Sequence, residues 1–413
     1  MTRSSSYLFR NLRLFDPRED ELLEGMEVLV GGDRILEVSQ RQIRSDAAEV
    51  IDCGGRTMMP GLIDAHVHVY FSEINLSALE HVPLSLLTAR SVPLLRGMLD
   101  RGFTTVRDTG GADWGIKQAI EEGSIAGPRL FISGRAIGQT GGHSDMRRRT
   151  DNHDLCSCAD AMRFTLAIAD GVDEVRKTVR EELRQGADAI KIMVSGGVAS
   201  PFDPLDSLQF SAEEIAVAVR EAADYSTYVL AHAYTPEAIT RAVTHGVRTI
   251  EHGNLIDDAS AALLSERGGF MVANLITYVA MKEHAQQLGM SPEKLAKNEM
   301  VIDGGFASLE ICKRAGVEVG FGSDLLGPLQ VHQSREFLLR QEVQTPLEIL
   351  RSATLVGAKI VRREGLLGVI APGAYADLLL VNGNPLQDLQ LLQDQGAHLA
   401  AIMKAGKFHK AQL

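Results

Sequence analysis

The chain of 413 residues carries 42 Lys and Arg against 54 Asp and Glu, a formal net charge of −12, and is 45% hydrophobic and 23% charged. These values are ordinary for a globular protein and exclude a disordered chain, a collagen-like repeat and a disulfide-held miniprotein. They also argue against a nucleic-acid partner, because phosphate contacts need a basic footprint and the densest basic cluster is only Arg147-Arg148-Arg149.

Cys53, Cys156, Cys158 and Cys312 cannot be written as a CxxC pair, so free thiols in a reducing compartment are expected. Residues 1–10 lack an apolar run followed by a small-residue cleavage site, and no stretch reaches about 18 uncharged apolar residues. A cytoplasmic location without a membrane partner is the expectation.

In chain order, residues 7–14, 26–30 and 34–38 read as short alternating strands, with Gly31-Gly32-Asp33 as a hairpin turn between the last two. Apolar strand-like runs then alternate with amphipathic helical ones. Strands are expected near 61–69, 103–108, 129–134, 187–194, 228–232, 248–252, 270–274 and 318–323. Helix starts are explicit at Ser211-Ala212-Glu213-Glu214, a capping box, and at Thr235-Pro236, a cap with a first-turn proline. The tail returns to strands at 376–381 and 400–403. Two connections, 139–165 and 276–315, are too long for simple turns and are expected to be functional or to carry helices.

Eight βα units over roughly 300 residues fit a (β/α)₈ TIM barrel better than an open doubly wound sheet. The expected organisation is a barrel over 60–365 and a small β-sandwich domain made from both ends, 1–59 plus 366–413. No GxGxxG or GxxxxGK[ST] follows any strand, so the nucleotide-binding signatures are missing.

In such a barrel the active site forms at the C-terminal ends of the strands. His66 and His68 close the first central strand, and side chains two apart on a strand share a face, so both imidazoles can meet one ion. Lys191 lies in the fourth, His232 ends the fifth, His252 the sixth and Asp324 the eighth. Any one of these has a dull explanation, such as a structural histidine or a lysine paired with a carboxylate. Their joint position at the ends of five strands points to a metal site.

This constellation resembles the amidohydrolase superfamily of metal-dependent hydrolases. The likeness runs from Met59-Pro60-Gly61-Leu62-Ile63-Asp64-Ala65-His66-Val67-His68 to the tail words Ala371-Pro372-Gly373-Ala374-Tyr375-Ala376-Asp377-Leu378. The resemblance implies that His66 and His68 bind the more buried of two divalent ions, that Lys191 is carboxylated and bridges both, and that His232 and His252 bind the second. It makes Asp324 both ligand and proton acceptor. The apolar neighbours Ile190, Ile192 and Met193 agree with a neutral Lys191 amine able to add carbon dioxide. Two such ions would activate a water and polarise a carbonyl; Zn²⁺ is the expected metal, with Mn²⁺, Co²⁺ and Fe²⁺ open.

Superfamily deaminases commonly place a glutamate three residues after the fifth-strand histidine, where this chain has Thr235. The overall layout resembles imidazolone-ring hydrolases (the imidazolonepropionase-like branch) as well, but these generally use one metal and lack the lysine. The nearer resemblance is to the prolidase-like branch of Xaa-Pro dipeptidases and related carboxypeptidases. It rests on Thr104-Thr105-Val106-Arg107-Asp108-Thr109-Gly110-Gly111, Gly141-Gly142-His143, Lys191-Ile192-Met193-Val194-Ser195-Gly196-Gly197 and Ala231-His232-Ala233-Tyr234. It implies that His143 and Tyr234 hold the scissile carbonyl or a substrate carboxylate; a loop-ordering histidine and a rim tyrosine are the bland alternatives. Asp203 and Asp206 are expected near the pocket mouth without an assigned role.

The function expected is hydrolysis of the amide bond of a dipeptide or N-acyl amino acid, a small-molecule substrate. Another amide, lactone or ester (imidazolone, hydantoin, mycotoxin amide) is the alternative, and a non-catalytic scaffold a minor one. The 276–315 segment would either cover the mouth or pack against a second copy of the chain, so a homo-oligomer stays open.

Overall fold

The computed structural model describes residues 6–79, 82–147, 165–198, 200 and 203–413. Arg148, Arg149, Cys156 and Cys158 lie outside the described residues. At the N-terminal end, β1 (Ser6–Leu14), β2 (Leu23–Gly31), β3 (Arg34–Ser39), β4 (Glu49–Asp52) and β5 (Thr57–Pro60) follow one another. The central strands are β6 (Leu62–Val67), β7 (Phe103–Asp108), β8 (Arg129–Ile132), β9 (Ala136–Gly138), β10 (Leu166–Ile168), β11 (Ile190–Met193), β12 (Val229–Ala233), β13 (Thr249–His252), β14 (Phe270–Ala273) and β15 (Glu318–Phe321). The tail adds β16 (Leu378–Val381), β17 (Leu399–Lys404) and β18 (Lys407–Ala411).

All eight expected central strands are present, and β9 and β10 are additional three-residue strands. The parallel strands form two sheets, β6-β7-β8 and β10-β9-β11-β12-β13-β14-β15. Most of their residues are buried, as parallel strands covered on both faces should be. Hydrogen bonds join the sheets at both seams. Asp188 N, just before β11, donates to Ile132 O of β8 over 2.7 Å, and Asp324 N, just after β15, donates to His66 O of β6 over 2.9 Å.

The two chain ends meet in one eight-stranded sheet, ordered β18-β17-β16-β5-β1-β2-β3 with β4 beside β1. The antiparallel pairing of β16 with β5, Leu378 opposite Pro60 through Val381 opposite Thr57, ties tail to head. Alternate residues of these strands serve two cores. Met58, Leu378, Leu380 and Met403 pack with Phe9, Leu14 and Val28, whereas Met59, Leu379, Val381 and Ile402 pack with Leu62, Leu95 and Phe103 of the central unit. Period-two alternation is thus what fastens the terminal sheet onto the barrel-like core.

The expected helix starts are realised. Ser211 makes both halves of its capping box before Ala212–Asp224, and Thr235 caps Pro236–Thr244 with Pro236 in the first turn. The 276–315 segment is largely helical, as Leu275–Glu283 and Pro292–Ala315, the second capped by Ser291 and ended by left-handed Gly316. Cys53 and Cys312 are buried free thiols, and burial pushes both up to about 12. Among the described residues no helix is long and apolar enough to cross a membrane.

Candidate metal centre

His66, His68, His143, Lys191, His232, Tyr234, His252 and Asp324 all line one open cavity of about 650 Å³ at the C-terminal ends of the central strands. The tightest group is His66, His252 and Asp324, whose donor atoms lie within 4.8 Å of one another. Asp324 Oδ1 is 3.3 Å from His66 Nε2 and 3.2 Å from His68 Nε2. The His232 ring centre lies 4.5 Å from that of His252, outside the tightest group but beside it. Ladder pairing sets this arrangement: Met193 of β11 stands opposite His232 of β12, and Ala233 opposite His252 of β13.

Each of the four histidines has one ring nitrogen against an oxygen that can only accept. His66 Nδ1 lies 2.8 Å from Glu251 Oε2, and His68 Nδ1 lies 3.0 Å from Gly110 O. His232 Nε2 lies 3.0 Å from Gly196 O, and His252 Nδ1 lies 3.0 Å from Asn274 Oδ1. Those nitrogens therefore carry the proton; on His232 and His252 the other nitrogen keeps a lone pair, whereas on His66 and His68 it faces Asp324 Oδ1. An outer acceptor fixing the tautomer of a metal-binding histidine is the usual support of such sites. Burial, the largest influence, holds His232 and His252 well below the ordinary imidazole range, so both are neutral. It also pushes His66 down, but Asp324 and Glu251 outweigh it and raise that group. Burial opposes ionisation of Asp324 as well, yet His66, His68 and His252 hold its carboxyl well below the usual range.

Lys191 is 1% exposed, and among the described residues no hydrogen bond or ion pair reaches its amine. A lysine paired with a barrel carboxylate is therefore not what is found. Burial pulls the amine down to about 8, against the pull of Glu251 and Asp324. The donor set of four imidazoles, a carboxylate and a buried amine without a partner among the described residues fits divalent cations.

Sequence reasoning missed the support beneath these ligands. Glu251, fully buried, accepts from His66, from Arg107 Nη2 over 2.7 Å and from Thr249 Oγ1 over 2.6 Å. Burial works to raise its pKa, but Arg107 and His66 hold it well below the carboxylate range. Asp64 accepts from His66 N, Ser323 N, Ser323 Oγ and Gln333 Nε2, binding the end of β6 to the end of β15. Strict alternation would turn His252 away from the side that Glu251 faces, yet both meet His66. The left-handed backbone of His252, φ 74°, breaks the alternation, and Asp324 leaves its strand through a similar φ of 51°.

His143 stacks on His232 at 4.2 Å between ring centres. Its Nδ1 lies 2.8 Å from Ser200 Oγ and 3.6 Å from Asp203 Oδ2, which gives Asp203 the partner that the sequence did not supply. Gly197 permits this closeness, since a Cβ there would sit 2.1 Å from the His143 ring. Arg147 pairs with Asp145. Tyr234 stacks on His252, and its hydroxyl lies 2.6 Å from that of Tyr278, a residue that the sequence did not single out. Burial pushes both phenols up, so both are neutral O–H groups.

A parallel strand core with histidines, a lysine and an aspartate gathered at its strand ends defines a hydrolase acting on C–N bonds. The amidohydrolase family model matches residues 57–408, and the chain belongs to that family, in its prolidase-like branch. It is 31% identical over 370 residues to ochratoxinase of Aspergillus niger, covering 86% of this chain and 75% of that protein. A prolidase crystallised with N-methylphosphonate-L-proline is 49% identical, with a TM-score of 0.96 over 99% of this chain and 100% of that one. A Xaa-Pro dipeptidase with methionine bound in its active site is 29% identical, with a TM-score of 0.87 over 98% and 100%.

Proposed function

We propose that the protein is a binuclear metal-dependent hydrolase of dipeptides, Xaa-Pro or a related C-terminal residue, or of N-acyl amino acids. The reading includes a closed (β/α)₈ barrel over 60–365 and a small β-sandwich domain from 1–59 and 366–413. The observation that carries it is the set of four histidines, each with one nitrogen tied to an acceptor, beside a buried lysine amine that has no partner among the described residues. Likeness to the prolidase and the Xaa-Pro dipeptidase supports the substrate class.

His66, His68, His232, His252, Asp324 and Lys191 as a carbamate would hold two divalent cations, Zn²⁺ by donor type. Such ions supply Lewis acidity toward the substrate carbonyl and a lowered pKa for water. Asp324, kept ionised by its histidines, takes the proton of the attacking water on a carboxylate oxygen and returns it to the leaving nitrogen. His143 and Tyr234 hold the carbonyl or the substrate carboxylate, and Asp203 orients His143.

A panel of dipeptides and N-acyl amino acids, read by free amino acid release from protein loaded with Zn²⁺ and bicarbonate, tests this. Release from at least one class with about two ions per chain is expected. Loaded protein that cleaves none of them, or that binds no ion, would sink the reading. Hydrolysis of a bulkier amide, such as a mycotoxin amide, is the second reading, favoured by the apolar wall of Phe71, Leu76, Leu166, Met281 and Leu326 and by the ochratoxinase relative.

A further inference from the structure

Tyr278 stands in Leu275–Glu283, the helix that follows β14, and is 1% exposed. Its phenol oxygen lies 3.0 Å from His252 Nδ1 and 2.6 Å from Tyr234 Oη. The same His252 nitrogen faces Asn274 Oδ1 at 3.0 Å and an Asp324 carboxylate oxygen at 3.8 Å. Asn274 Oδ1, at hydrogen-bond distance, only accepts, so Nδ1 carries the proton and cannot accept one. Tyr278 therefore meets His252 with its oxygen lone pair, and its single O–H is left for Tyr234 Oη. Tyr234 in turn cannot donate back along the same contact. Its own proton has no other acceptor among the described residues, and the side chain lines the cavity.

We propose that Tyr278 is a positioning residue: it passes the direction of the His252 Nδ1–H bond on to Tyr234 and so aims the Tyr234 O–H at the carbonyl oxygen of the bound amide. This rests on the amide-hydrolase reading, which gives His252 an ion and Tyr234 the substrate. No covalent bond to either phenol forms or breaks; the Tyr234 hydrogen bond strengthens as water adds to the carbonyl carbon and negative charge gathers on its oxygen. The reverse direction would place the His252 proton on Nε2 and set an Nδ1 lone pair against Asn274 Oδ1, two acceptors 3.0 Å apart.

Neutron diffraction from deuterium-exchanged crystals reads the direction without reference to activity. Deuterons are expected on His252 Nδ1 and on Tyr278 Oη toward Tyr234, with the Tyr234 deuteron turned into the cavity; a Tyr234 deuteron lying toward Tyr278 overturns the proposal. In kinetics on an amide that the wild type cleaves, Tyr234→Phe should lower kcat about 10²-fold, the scale of losing one oxyanion donor. Tyr278→Phe keeps the ring and should lower kcat about tenfold with KM changed less than about threefold. The double variant should be no slower than Tyr234→Phe alone, because both act through one proton, and ion content should match the wild type. Multiplying effects, unchanged kcat in Tyr278→Phe, or ion loss in that variant would each overturn the positioning role. Should Tyr278→Phe fail to fold, the deuteron positions decide. If the loaded wild type cleaves no amide, the amide-hydrolase reading falls, while the deuterons still report on the relay itself.

Discussion

His66, Lys191, His232 and His252 reach the cavity from strands that ladder pairing holds to their neighbours, whereas Thr277, Tyr278 and Met281 reach it from a helix and Met146 from a loop. On the strand side, each of the four histidines is braced by a buried acceptor, Glu251, Asn274 or a backbone carbonyl. Opposite them, Met281 and Met146 stand with Phe71, Leu76 and Leu326 as an apolar wall, and Tyr278 is hydrogen-bonded within it. On the proposed function, the strand side supplies the chemistry from fixed places and the other side selects the substrate by shape. A cavity built this way can change what it accepts without disturbing how it reacts.

The sharpest test of that division is Asp324→Asn, which should lower kcat about 10²–10⁴-fold, the range of a lost general base. Kinetics alongside a melting curve checks it, and near-wild-type turnover would move proton transfer elsewhere. Next comes the floor. Arg107→Leu leaves the Glu251 carboxylate buried without its cation and should cost about 3–5 kcal/mol in denaturant unfolding. Glu251→Gln keeps the volume but weakens the hold on His66, and metal titration should show affinity or activity down about 10–100-fold. The smallest effect belongs to the helix side. Met281→Ala should change the ratio of kcat/KM between small and bulky substrates by about tenfold, with ion content unaltered. A Met281→Ala protein that loses ions would erase the distinction between the two sides.

The same division explains what could be read from the sequence. His66, His68, Lys191, His232, His252 and Asp324 were legible because polar residues at the ends of apolar runs stand out, and strand geometry gives those ends a common address. Glu251 was not, because alternation turns it away from its neighbour His252, and only the left-handed φ of His252 lets both meet His66. Tyr278 was not legible because its place depends on how the helix after β14 is set down, and the 276–315 connection showed only that it was long. The terminal strands were partly legible. Residues 7–14, 26–30 and 34–38 alternate clearly, while Thr57–Pro60 is buried on both faces and ends in proline, which hides it from any period-two pattern.

The left-handed turn at Asp324 has a practical consequence for anyone who replaces that residue. Asparagine and aspartate tolerate this backbone region better than most L-residues, so Asn at 324 removes a charge and leaves the chain path intact. Alanine would combine two losses, a functional group and a comfortable backbone, and its inactivity could be blamed on either. The fold itself thereby nominates the substitution that separates chemistry from conformation.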